Sequence, residues 1–95
     1  MFVILLRFSA NKSLAGTFME DHNAWIQRGL EDGVFLLVGS LQPNQGGGIL
    51  AHNTTLQDLQ ARVNNDPFVA GDVVSAEIHE ITPSVTTQRL KFLQD

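Results

Sequence analysis

Apolar residues run almost unbroken from Phe2 to Leu6 and again from Val34 to Val38, and the polar-rich stretch between them repeats its apolar positions at helical spacing. The first run predicts a strand over residues 2–8 and the second a strand over 34–41. Between them a helix is expected over 17–32, with Phe18, His22, Ile26 and Gly29 on one stripe and Trp25 and Leu30 beside it. Thr17-x-x-Glu20 has the spacing of a capping box, although Leu14 and Ala15 are compatible with an earlier start near Ser13. Gly33 is placed to end this helix in a left-handed conformation. Turn residues Gln42-Pro43-Asn44-Gln45-Gly46-Gly47 lead to a third strand over 48–52. Thr55 is positioned to cap a second helix over about 56–65, with Leu56, Leu59 and Val63 on its apolar side. Pro67 disfavours helical geometry at Asp66 and ends that helix. A fourth strand over 73–82 alternates Val74, Ala76 and Ile78 with Ser75, Glu77 and His79. The tail, 83–95, is polar with a few apolar anchors, Val85, Leu90, Phe92 and Leu93.

The order β-α-β-β-α-β is that of the split βαβ, or ferredoxin-like, α+β arrangement: a four-stranded antiparallel sheet with two helices on one face. Side chains alternate along a strand, so the two apolar runs place large groups on both faces of the sheet. A soluble monomer rarely exposes an apolar patch of that extent. The uncovered face is therefore expected to pack on a second copy, as a two-fold homodimer closed sheet against sheet. The alternative is a tail that folds across it, and twelve mostly polar residues form a poor cover.

The chain has 95 residues, 43% hydrophobic and 17% charged, which is the size of one domain, 1–95, with its core in about the first 83 residues. Its net charge is −4, and its six Lys and Arg residues are scattered (Arg7, Lys12, Arg28, Arg62, Arg89 and Lys91), so no basic face exists to track a phosphate backbone and no nucleic-acid partner is expected. There is no cysteine, which excludes disulfides, thiolate metal sites and a cysteine nucleophile. The first apolar run is too short for a membrane span or a signal-peptide core. A cytoplasmic location and no membrane partner are the resulting expectations.

Candidate chemistry gathers at few positions. His22 lies on the inner stripe of the first helix, where it is either a bonded core histidine or an acid–base group, because imidazole titrates near neutrality. Asp66, before Pro67, is either a local cap for neighbouring amides or the carboxylate that orients His22. Phe68 fills core or stacks on a ligand. Arg7, at the end of the first strand, is a candidate to bind a carboxylate or phenolate, and Ser40 could turn its hydroxyl to the same pocket. No nucleophile elbow surrounds Ser40. His52 and His79 share no metal-ligand spacing with His22, and Gly46-Gly47-Gly48 lacks the Lys-Ser/Thr of a phosphate loop, which leaves it to the turn and close packing. No metal and no cofactor are expected.

The segments Met1-Phe2-Val3-Ile4-Leu5-Leu6-Arg7-Phe8, His22 in a first helix, Glu31-Asp32-Gly33-Val34-Phe35-Leu36-Leu37-Val38-Gly39-Ser40-Leu41 and Asn65-Asp66-Pro67-Phe68-Val69-Ala70-Gly71 resemble the YciI-like family of the dimeric α+β barrel superfamily. The resemblance covers nearly the whole chain, and Asp66-Pro67-Phe68-Val69-Ala70-Gly71 is its most specific part. It implies a ferredoxin-like protomer whose sheet pairs with a partner's to make a barrel. It also implies a pocket around a histidine–aspartate pair, which falls on His22 and Asp66, with Ser40 in the lining segment. Relatives of this kind often have proline at the place of Ser40 and an Arg-Pro pair before the histidine; here Glu20-Asp21 precedes His22 and puts acid near the pocket entrance. Characterised relatives are dehydrochlorinases of chlorinated hydroxyquinol-type aromatics, and neighbours in the superfamily are lactone isomerases and small monooxygenases. The reading that follows is a cofactor-free lyase or isomerase moving protons on a small phenolic or lactone-like ligand, with Arg7 steadying developing negative charge. The competing reading is a non-catalytic ligand-binding or accessory dimerisation domain.

Overall fold

Strands pair where alternating apolar residues can bury one face, and helices pack on that face. The computed structural model describes residues 1–94 and shows this arrangement. Its elements are β1 (Phe2–Phe8), α1 (Ala15–Glu31), β2 (Phe35–Leu41), β3 (Gly46–Ala51), α2 (Leu56–Asn64), α3 (Pro67–Ala70) and β4 (Val74–Glu80). Turns of 3₁₀ helix occupy Lys12–Leu14 and Gln88–Gln94. The strands form one antiparallel sheet in the order β2-β3-β1-β4, the ferredoxin-like α+β fold.

Phe2, Ile4 and Leu6 point to the helices and are buried with Ile49, Ala51, Val74, Trp25, Leu59 and Val63 in one core. Trp25 ties the two long helices together: its indole N–H donates to the Arg62 carbonyl at 3.0 Å, and its ring meets the Phe35 edge at 5.1 Å. Gly29 belongs to the same contact. A β-carbon there would collide with the Phe35 ring, so the space over Gly29 is taken by Phe35.

Several boundaries differ from the sequence pattern, each for a local reason. The helix α1 starts at Ala15 with no side-chain cap, so Thr17 is an interior residue and the capping box does not form. The chain before α1 is pinned elsewhere: the Asn11 amide donates to the Asp72 carbonyl (2.9 Å) and Asn11 Nδ2 to the Gly71 carbonyl (3.0 Å), which lets a 3₁₀ turn lead into the helix early. Gly33 does end α1, with φ of +74°. The strand β3 starts at Gly46, two residues earlier than the turn residues suggest, because the glycine run joins the ladder opposite Leu41 and Arg7. At Gly46 φ is +133° and a β-carbon would strike the Leu6 carbonyl oxygen, so this position requires glycine. Thr55 caps α2, accepting from the Asp58 amide at 3.1 Å, and Leu59 and Val63 are buried; Leu56, however, is 45% exposed. Pro67 does more than end α2. It occupies the first turn of α3, where its missing N–H costs nothing, and Asp66 is that helix's cap.

The other face of the sheet carries Val3, Leu5 and Arg7 of β1, opposite Leu50, Gly48 and Gly46 of β3 on one side and His79, Glu77 and Ser75 of β4 on the other. An irregularity between Phe35 and Leu37 turns both Leu36 and Leu37 outward, and Leu37 is 53% exposed. The tail does not seal this face. Its 3₁₀ turn touches the end of β3 through Phe92, edge-on to His52 at 5.5 Å, and Phe92 and Leu90 stay largely exposed. Gln94 folds back to the Ser84 carbonyl and Thr86, closing the tail on itself; Asp95 lies outside the described residues.

Candidate active site

The site begins with two local choices of backbone. Asp66, extended at φ −64° and ψ 124° ahead of Pro67, caps α3 by accepting the Phe68 amide at its Oδ1 (3.0 Å). The same oxygen accepts Nδ1–H of His22 from α1 at 2.7 Å, across 44 residues of sequence. The carboxyl is completely buried, and its second oxygen, Oδ2, has no hydrogen-bond partner among the described residues. A carboxylate held in such a place cannot be left by its partner without a cost of about 1–3 kcal/mol.

That bond also sets the tautomer of His22. With Nδ1 donating to Asp66, the lone pair of the neutral ring is on Nε2, which has no hydrogen-bond partner among the described residues. The ring is clamped in plane. Phe68 stacks on it at 3.9 Å with an interplanar angle of 4°, and Trp25 lies beyond at 5.9 Å and 24°. Position, tautomer and orientation are therefore all fixed by Asp66, Phe68 and α1.

Beside the pair a cavity of about 350 Å³ opens between α1 and the sheet. Its apolar walls are Leu6, Phe8, Met19, Ile26, Val38, Ile49, Phe68 and Val74; its floor is the backbone of Gly39 and Gly46–Gly48; its polar side chains are His22, Asn23 and Ser40. The volume is at the lower end of small-molecule sites, which span roughly 300–1,000 Å³. Such a group set can abstract a proton from a ligand hydroxyl or acidic C–H and return it elsewhere, with no other reactive side chain at hand.

A solved structure has the same fold: the 5-chloro-2-hydroxyhydroquinone dehydrochlorinase from Burkholderia phenoliruptrix, in complex with 2,5-dihydroxybenzoquinone. It matches at a TM-score of 0.68 over 85% of this chain and 93% of that chain, with 12% sequence identity. The likeness is one of fold. No family model and no curated protein sequence matches the chain.

Of the residues singled out in the sequence, His22, Phe68 and Ser40 line this cavity, Asp66 is bonded to His22 behind the lining, and Arg7 is not part of it. Arg7 extends from the opposite face of the sheet, where Nε donates to Glu77 (3.2 Å) and Nη1 to the Gln45 side chain (3.4 Å). The register decides this: Leu6 faces the helices, so Arg7 must face away. The glycine run, assigned to the turn and close packing, is also the cavity floor. Asn23 and Met19 were missed because they sit on the outer side of the apolar stripe; the only signal in the sequence is their place one residue after and three before His22. His79 bonds Glu77 at 3.2 Å on the outer face, and among the described residues no group of three or more His, Asp or Glu side chains converges as metal ligands. Among the described residues no helix is long and apolar enough to cross a membrane.

Proposed function

We propose that the protein catalyses cofactor-free proton transfer, of the lyase or isomerase type, on a small enolisable or phenolic molecule held in the cavity. His22 is the general base and acid, and Asp66 is the positioning residue that fixes its tautomer and stabilises the imidazolium. The observation that carries this reading is the 2.7 Å bond between a fully buried carboxylate and an imidazole whose other nitrogen is free beside an apolar cavity. His22 Nε2 takes the proton of a ring hydroxyl and returns it to a ring carbon, giving the keto tautomer; atoms and charge balance with no oxidant or reductant. From a chlorinated tautomer, loss of a second hydroxyl proton as chloride departs with its electron pair completes an elimination of HCl. Positioned acid–base catalysis is typically worth about 10²–10⁴-fold in rate. The structural likeness to a dehydrochlorinase supports the choice of this reaction class. The reading takes the pair to act within a homodimer joined through the outer sheet face.

Chloride release from 5-chloro-2-hydroxyhydroquinone is the test. The wild type should accelerate it over buffer and His22→Gln should lose about 10²-fold or more of that acceleration; equal rates for the two would remove His22 from the chemistry. The near-complete burial of His22 under Phe68 favours one second reading, a ligand-binding domain with a structural pair. It predicts saturable binding of hydroxylated aromatics with no turnover.

A further inference from the structure

Glycine in a strand is usually required by the backbone or by a close neighbour, and Gly46 meets both conditions. Gly47 meets neither. It pairs with Leu6 on one side and Ser40 on the other, so it belongs to the helix-facing row that carries Ile49 and Ala51 further along β3. Its φ lies outside the left-handed region, and an added β-carbon would meet only the Gly39 carbonyl oxygen, at 3.4 Å, an ordinary contact. A side chain fits the fold here; what it would fill is the cavity.

The charges around the cavity are equally one-sided. Among the described residues no Lys or Arg lines it. Its single ionisable wall group, His22, is bonded to buried Asp66, so the pair sums to zero when the ring is protonated and to −1 when it is neutral. Exposed Glu20 and Asp21 precede His22 on α1. An anion entering this space would lose its hydration with no cation in the lining to replace it; Lys12, whose Nζ lies 4.5 Å over the Phe8 ring, is outside that lining. The remaining polar wall groups, Asn23 and Ser40, are both exposed at the mouth, and among the described residues neither side chain makes a hydrogen bond within the chain. An amide and a hydroxyl free at the rim of an apolar space are the groups that orient a ligand.

We infer that Gly47 is the specificity-determining residue of the cavity, holding open room for an uncharged, ring-sized ligand whose oxygen substituents Asn23 and Ser40 orient. The inference rests on the cavity being the small-molecule site described above, but not on turnover there. Binding is therefore read at equilibrium, from amide shifts of residues 46–48 in two-dimensional NMR, with hydroquinone, benzoate and toluene as probes. Hydroquinone should saturate the wild type at a concentration at least about tenfold below benzoate. Gly47→Val should weaken hydroquinone and toluene alike by at least about tenfold with an unchanged circular dichroism spectrum. Asn23→Ala and Ser40→Ala should each weaken hydroquinone by about threefold or more and leave toluene unchanged. If Gly47→Val does not fold, Gly47→Ala, whose β-carbon the backbone accommodates, should show a smaller loss in the same direction. Benzoate binding as tightly as hydroquinone, a glycine variant that binds as the wild type does, or no saturable shift with either oxygenated probe would overturn the inference. His22→Gln that still binds hydroquinone while the wild type shows no turnover would sink the catalytic reading and leave this one standing.

Discussion

Asp66 joins three parts of the protein through one carboxyl oxygen: it caps α3 through the Phe68 amide, holds the His22 ring, and so fixes the wall of the cavity on which Phe68 lies. Removing the side chain takes away a helix cap and leaves a buried imidazole donor without its acceptor. Asp66→Ala should therefore lose about 2–4 kcal/mol in urea unfolding, the sum of a cap and an unsatisfied buried group. Asp66→Asn keeps an oxygen for the cap and should lose less, so that a larger loss from Asn than from Ala would contradict the two-bond account. The sequence exposed this pair because proline restricts the residue before it and because a histidine on an apolar stripe has few solvent-facing options. It could not place Arg7 or Asn23. Which face a strand-end residue takes depends on register, and a rim residue of a helix looks like any solvated one until the neighbouring strand is in view.

At the scale of elements, period and turn chemistry carried most of the pattern: four strands, two long helices and the left-handed Gly33 lie where the apolar spacing puts them. The ends were less legible because long-range contacts set them. The two threonines show the difference. Thr55 caps α2 with a 3.1 Å bond, whereas Thr17, in the same type of motif, lies inside α1 since the Asn11 contacts to the α3–β4 loop start that helix earlier. Thr55→Ala should cost about 1 kcal/mol, and Thr17→Ala less than about 0.5 kcal/mol or a slight gain, by thermal or urea unfolding. A cost at Thr17 equal to that at Thr55 would mean that α1 begins at Thr17 after all.

Across the whole molecule the dominant asymmetry is between the two sheet faces. One is buried under helices, and the other exposes Leu37 beside half-buried Val3, Leu5 and Leu50. The homodimer proposed to bury it should sediment as a single species of twice the 10.4 kDa chain mass at micromolar concentration, and Leu37→Asp should shift it toward monomer. A monomeric wild type would show that this face stays in water. The same face carries a pH response. The Glu77 carboxyl is held below its ordinary range by hydrogen bonds from His79 and from Arg7. A carboxyl lowered in the folded state adds stability above the ordinary carboxylate range and loses it as pH falls through the lowered value. In the single chain Glu77 is open to solvent, so the effect is small, and Glu77→Gln in the Leu37→Asp background should make the fall in Tm between about pH 6 and pH 2 slightly shallower.

The most direct test of proton transfer at His22 is solvent-deuterium incorporation at ring carbon in 1,2,4-trihydroxybenzene, followed by NMR in D₂O for the wild type, His22→Gln and Asp66→Asn. Acceleration by the wild type, with a loss of about 10²–10⁴-fold in His22→Gln and a smaller but clear loss in Asp66→Asn, is the predicted result. Exchange at the buffer rate with the wild type, or equal acceleration by all three proteins, would contradict it.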